Sequence, residues 1–168
     1  MSKFKKVAVG GTFDELHKGH RVLLLKAFEV GERVLIGLCS DEFVAKMGKP
    51  HVTALYEERL KELKTFLKKS GPCDKAEIVP LSDPYGSTVT DSCIRALVVS
   101  QETKKIALKI NQKRIAAGLP SLKLITIRMV PAENCAPIST TRIRGGEIDR
   151  EGRMLKSQET SRLKTSAP

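Results

Sequence analysis

Two of the chain's three histidines stand three residues apart, at the end of Gly10-Gly11-Thr12-Phe13-Asp14-Glu15-Leu16-His17-Lys18-Gly19-His20. Imidazoles at that spacing around a helix start can face one anion, and the glycine pair ahead of them allows the backbone to approach it closely. Unpaired N–H groups at the helix N-terminus add a partial positive charge, so the segment outlines a phosphate site. Zinc ligation by His17 and His20 would need further ligands, and the four cysteines form no CxxC pair, so no metal ligand is assigned. His51 stands in no such context and reads as a loop residue.

The elements that must position these groups follow from hydrophobic periodicity. Phe4 to Val9 reads as a buried strand ending at the glycines, and Lys18 to Glu29 as a helix with Val22, Leu25 and Phe28 at helical spacing and Leu24 beside them. Gly31 stops that helix and Arg33 to Leu38 supplies a second strand, completing a βαβ unit. Tyr56 to Lys69 is an amphipathic helix with Leu60, Leu63, Phe66 and Leu67 on one face. Glu77 to Leu81, Ala96 to Ser100 and Leu122 to Val130 are further strands, with a helix over Thr103 to Ala117 between the last two. Ser139, Thr140 and Thr141 supply capping residues for a short basic helix within 138–147. Strands alternating with helices predict a Rossmann-like α/β domain: a doubly wound, parallel five-stranded sheet with helices on both faces. It should occupy residues 1–155, with 156–168 as a polar, disordered tail.

The His17-Lys18-Gly19-His20 motif after Gly-Gly-Thr-Phe-Asp resembles that of the nucleotidyltransferase superfamily, which contains cytidylyltransferases and phosphopantetheine adenylyltransferases. Ile138-Ser139-Thr140-Thr141-Arg142-Ile143-Arg144 is similar to that superfamily's C-terminal Ser/Thr-rich segment. The chain most resembles the archaeal and eukaryotic type of phosphopantetheine adenylyltransferase, from about Val7 to Gly152. Ser40-Asp41-Glu42-Phe43, Asp83-Pro84-Tyr85-Gly86 and Val98-Val99-Ser100-Gln101-Glu102-Thr103 carry the rest of the likeness. All three fall at carboxyl ends of expected strands, where ligands of parallel sheets bind.

The resemblance implies adenylyl transfer from ATP, with Mg2+, to 4′-phosphopantetheine, giving dephospho-coenzyme A and pyrophosphate. It makes His20 and His17 catalytic, with one or both of Lys46 and Lys49 reaching the reacting phosphates; spacing does not choose between the lysines. Gly10, Gly11, Thr12, Phe13, His17, Gly19, His20, Ser139, Thr140, Thr141 and Arg142 would bind the nucleotide. Thr12, Asp83 and Tyr85 would meet the acceptor, although Asp83 to Gly86 also reads as a plain turn. Arg142 has a second reading, a solvated basic helix face shared with Arg144. No arginine is assigned to the acceptor phosphate. The alternative is a sister enzyme acting on FMN with ATP, or on glycerol phosphate or choline phosphate with CTP.

Composition narrows the classes. The 168 residues suit one domain, and 40% hydrophobic residues are enough for a packed core. Thirty Lys and Arg against 19 Asp and Glu leave a net charge of +11, which attracts something anionic. With two Tyr, five Phe and no Trp, and without a recognition motif, nucleic acid is not the expected partner. No apolar run is long enough for a membrane span, and cysteine usage suits a reduced, cytoplasmic setting. The sequence leaves the oligomeric state open.

Overall fold

A computed structural model describes residues 2–155, so the expected tail, 156–168, lies outside the described residues. Five strands run in parallel: β1 (Phe4–Gly11), β2 (Gly31–Cys39), β3 (Ala76–Leu81), β4 (Ala96–Val99) and β5 (Lys123–Thr126), in the order β3-β2-β1-β4-β5. The helices are α1 (Lys18–Val30), α2 (Asp41–Lys46), α3 (Tyr56–Ser70), α4 (Lys104–Ala116) and α5 (Thr140–Arg144). The chain winds outward from β1 through β2 to β3, then crosses back to place β4 on the other side of β1. That reversal is the topological switch point of a doubly wound sheet, where a crevice opens at the carboxyl ends of the strands.

Alternation along β1 sorts the core into two layers. Val7 and Val9 pack with Leu24 and Phe28 of α1 and Leu63 and Leu67 of α3, while Ala8 joins the layer containing Leu97, Val99 and Ala107 and Ile110 of α4. Both faces of β1 and β4 are thereby covered, which explains their nearly unbroken apolar runs.

Three expectations change in detail. On α1 the buried stripe is Leu23, Leu24, Ala27 and Phe28, whereas Val22 and Leu25 are exposed. Two apolar stripes compete there at helical spacing, and the sheet takes the one containing small Ala27. Beyond it, even a Cβ on Gly31 would come within 2.8 Å of Val7. The fifth strand ends at Thr126 rather than Val130, because its neighbour β4 ends at Val99 and the last ladder bond is Ile127 N–H to Val99 O, at 2.9 Å. The last helix is confined to Thr140–Arg144, cut off by Gly145 and Gly146, the latter at φ +73°. No helix among the described residues is long and apolar enough to cross a membrane.

Candidate active site

A cleft of about 680 Å³ opens at the switch point and continues down the α4 face of the sheet. Its polar end is built where β1 hands over to α1. His17 is the N-cap of α1, and the two imidazoles form a reciprocal capping box: His20 N–H donates to His17 Nδ1 at 3.3 Å and His17 N–H to His20 Nδ1 at 3.4 Å. The rings stack with centroids 3.7 Å apart and 18° between planes. An Nδ1 that accepts a backbone N–H leaves the ring hydrogen on Nε2, so each neutral imidazole keeps one donor.

Electrostatics favours the neutral form. Burial, then the charges of Arg21 and Arg150, lowers the pKa of His17 to about 4. Burial, then His17 and Lys49, holds His20 well below the ordinary imidazole value. Gly19 is required by this stack, since a Cβ there would stand 2.9 Å from His17 Cε1. Phe13, buried at φ +50°, presents its ring to His20 at 5.4 Å edge-on and lies over Gly11. A left-handed aromatic residue costs about 1 kcal/mol or more, and packing on both sides of the ring holds it there.

Lys49, and not Lys46, lines the cleft. Its Nζ donates to Thr12 Oγ1 at 3.0 Å, and burial lowers its pKa while Cys39 and Asp14 oppose that shift. Lys46 is exposed on the last turn of α2, outside the lining. Ser139, Thr140 and Thr141 reach the same end from the far terminus of the domain. Ser139 caps α5 by accepting Arg142 N–H at 3.3 Å, and Thr140 Oγ1 donates to the Asp14 carbonyl at 3.0 Å. Arg142 is turned away from the cleft: its guanidinium binds Pro137 O, Asn134 Oδ1 and Glu147 Oε1.

Groups without a sequence-assigned role lock this end in place. The fully buried Asp14 carboxylate receives Arg144 in two bonds of 3.0 and 2.8 Å, and Ala54 N–H at 3.2 Å. Burial alone would raise its pKa; Arg144 and Ala54 bring it below the usual carboxylate range. Arg59, 1% exposed, donates to the carbonyls of Ala54, Thr12 and Cys39 and to Asp41, so one guanidinium joins the motif loop, the end of β2 and the start of α2. The segment after α5 also closes on this end. Arg150 O accepts Lys18 N–H at 2.9 Å, and the Arg150 side chain pairs with Glu15 and Glu62. The only signals in sequence were Asp14 within the motif and Arg59 among the apolar positions of an amphipathic helix.

The other end of the cleft is apolar. Ala8, Leu35, Val79 and Leu97 form its floor, Ile106, Ala107 and Ile110 of α4 one wall, and Pro84, Tyr85, Ser87 and Thr88 the other. Leu81 lies over Gly10 and Gly37, where a Cβ would meet its side chain at 3.2 and 2.6 Å. Tyr85 lines this lobe, whereas Asp83 does not. Its carboxylate accepts Tyr85 N–H and Gly86 N–H, both at 2.8 Å, and shapes the turn. Among the described residues, no three His, Cys, Asp or Glu side chains gather to hold a metal ion.

Comparison with known proteins matches residues 8–146 to the cytidylyltransferase-like family. A phosphopantetheine adenylyltransferase of Methanothermobacter thermautotrophicus is 48% identical over 154 residues, covering 92% of each chain. One from Methanopyrus kandleri is 45% identical over 149 residues, covering 89% of this chain and 94% of its own. A solved protein of unknown function from Archaeoglobus fulgidus superposes with a TM-score of 0.66 at 36% identity, over 73% of this chain and 88% of that one. Identities at this level along nearly the full length of both partners make the chain a member of the cytidylyltransferase-like family, among its phosphopantetheine adenylyltransferases.

Proposed function

We propose that the protein transfers the adenylyl group of ATP to the phosphate of 4′-phosphopantetheine, releasing pyrophosphate and dephospho-coenzyme A in coenzyme A biosynthesis. The observation that carries this reading is a single cleft joining a donor-rich polar end to an apolar lobe. A nucleotide's phosphates suit the first, and an acceptor with a long, uncharged arm suits the second.

The displacement at the α-phosphorus is in line and needs no covalent enzyme intermediate. Charge grows on the phosphoryl oxygens, and the Nε2–H of His20 would meet it as a neutral donor that loses no proton in the step. His17 would hold the neighbouring phosphate oxygens and keep His20 in register through the stack. Lys49, held by its bond to Thr12, would supply the cation to the reacting phosphates. Ser139, Thr140 and Thr141 would receive the β- and γ-phosphates. Arg142 is bound elsewhere, so in this reading it acts through the shape of the 134–147 segment.

Magnesium belongs to the proposal as the ion that travels with ATP. Glu102 is the one carboxylate among the described lining residues, so the ion would be held mainly by phosphate oxygens and water, neutralising triphosphate charge. A cytoplasmic location belongs to the same reading, and four free cysteines suit a reducing compartment.

The test is pyrophosphate release from ATP, magnesium and 4′-phosphopantetheine, run beside ATP with FMN and CTP with glycerol phosphate or choline phosphate. Release only with phosphopantetheine is expected. Release only with another pair would move the protein to a sister activity.

A further inference from the structure

The apolar lobe has one wall on a helix and one on a loop; Lys113 of α4 lies over the Tyr85 ring of the loop at 4.9 Å, and a buried arginine one residue further on bonds to the loop backbone. Arg114 is 0% exposed. Its Nε donates to Pro120 O at 2.8 Å, Nη1 to Thr88 O at 2.6 Å and Asp91 O at 2.9 Å, and Nη2 to Ile94 O at 3.5 Å. All four acceptors are main-chain carbonyls, three of them in the loop that runs from β3 to β4. Burial lowers the pKa of this guanidinium, with Asp91 opposing, so stripping its water is unfavourable and a purely space-filling role would be better served by an apolar residue.

Its position on α4 gives the cost a purpose. Arg114 follows Ile110 by one turn, on the face whose Ile106, Ala107 and Ile110 line the lobe. The helix is itself fixed to the sheet: Asn111 exchanges two bonds with the backbone of Leu122, at 3.0 and 2.7 Å. The loop is held from its far side by Asp91 on Lys6, at 2.8 Å. Between those two anchors, Arg114 sets where Thr88 stands relative to α4, and with it Tyr85, whose carbonyl accepts the Thr88 hydroxyl.

We propose that Arg114 is a positioning residue for the acceptor, fixing the width of the apolar lobe and thereby acceptor affinity, while leaving the chemistry at His20 alone. This rests on the reading of the lobe as the acceptor's. It never meets a substrate, so its signature is a split between kinetic constants rather than a loss of turnover.

The experiment compares Arg114→Met and Arg114→Lys with the wild type. Loss of charge-assisted bonds to three loop carbonyls should raise KM for 4′-phosphopantetheine about a hundredfold in Arg114→Met, and about tenfold in Arg114→Lys, which keeps a donor. KM for ATP and kcat should stay within about twofold. An equal rise in both KM values, or a fall in kcat alone, would show a general structural role and overturn the proposal. Arg114→Lys carries the test if the Met variant fails to fold, with amide hydrogen exchange as second readout. Thr90 and Asp91, whose N–H groups bond to Ser87 O, should exchange about tenfold faster than in the wild type, while Val34 to Ile36 in the core stay unchanged. Unchanged exchange in the loop would also refute the clamp. If wild-type protein releases no pyrophosphate with 4′-phosphopantetheine, the functional reading fails, and the exchange measurement still decides whether Arg114 holds the loop.

Discussion

The two ends of the cleft are held by different means. At the polar end the motif loop is fixed by groups from distant parts of the chain: the Asp14 side chain by Arg144, the Thr12 carbonyl by Arg59, the Lys18 amide by the Arg150 carbonyl. At the apolar end the floor is plain sheet, and the walls depend on one buried arginine and a capped turn. The difference matches the tasks proposed for the two ends. Stabilising charge on a phosphoryl oxygen demands placement within a fraction of an ångström, whereas gripping an uncharged arm demands mainly shape and dryness.

The contrast can be broken first at the donor pair. His20→Ala should lower kcat by about 10²–10³, with ATP affinity changed only a few-fold, because its contact strengthens in the transition state. Unchanged turnover with weakened ATP binding, from steady-state kinetics and calorimetry, would remove that role. Next is the lock behind the pair. Asp14→Ala leaves the Ala54 amide without its partner and Arg144 with Glu15 alone, and should cost about 3 kcal/mol in urea unfolding, reduced somewhat by Glu15 and by water reaching Arg144. A loss under 1 kcal/mol would mean that the polar end is less rigid than its bonds suggest.

As pH falls from neutral, acid should act first on the polar end. With His17 held at about 4 against 6.5 in the unfolded chain, only the unfolded state takes up its proton between those values. This contribution to stability is therefore intact above pH 6.5 and is lost as pH falls towards 4, by about 2 kcal/mol between pH 7.5 and pH 5. The slope should flatten in His17→Gln, and an identical slope would show that the pair is not buried neutral. At the apolar end, Ala107→Leu should narrow the lobe and raise KM for phosphopantetheine about tenfold without touching ATP. The smallest effect is expected at Arg142→Ala, within about threefold on kcat/KM, since its guanidinium serves Glu147 and Asn134. A thousandfold loss there would return Arg142 to the phosphates.

Local signals made the frame legible. Glycine stops and apolar runs placed β1, α1 and the parallel sheet in outline, and the His and Ser/Thr segments meet at the polar end of the cleft. Long-range partners were not legible. Lys49 and Lys46 have equal local claims, and only the path of the loop after α2 brings one to Thr12. Arg142 reads as a phosphate ligand until Glu147 and Asn134 are folded against it. Arg59 and Arg114 are the hardest cases, because an arginine on an amphipathic helix is ordinarily solvated. Apart from Asp41, which Arg59 also reaches, their acceptors are backbone carbonyls, which carry no residue identity for a pattern to detect.

The closure of α1 by Arg150 has a consequence for synthesis. The first motif to leave the ribosome cannot be finished until nearly the last residues of the domain have followed it. Thr140, Arg144 and Arg150 reach back to residues 126, 130 and 135 positions earlier. Contacts of such separation form late. A nascent chain should therefore be unable to close the polar end until the 139–150 segment has emerged, and on the reading proposed above ATP binding should begin only then.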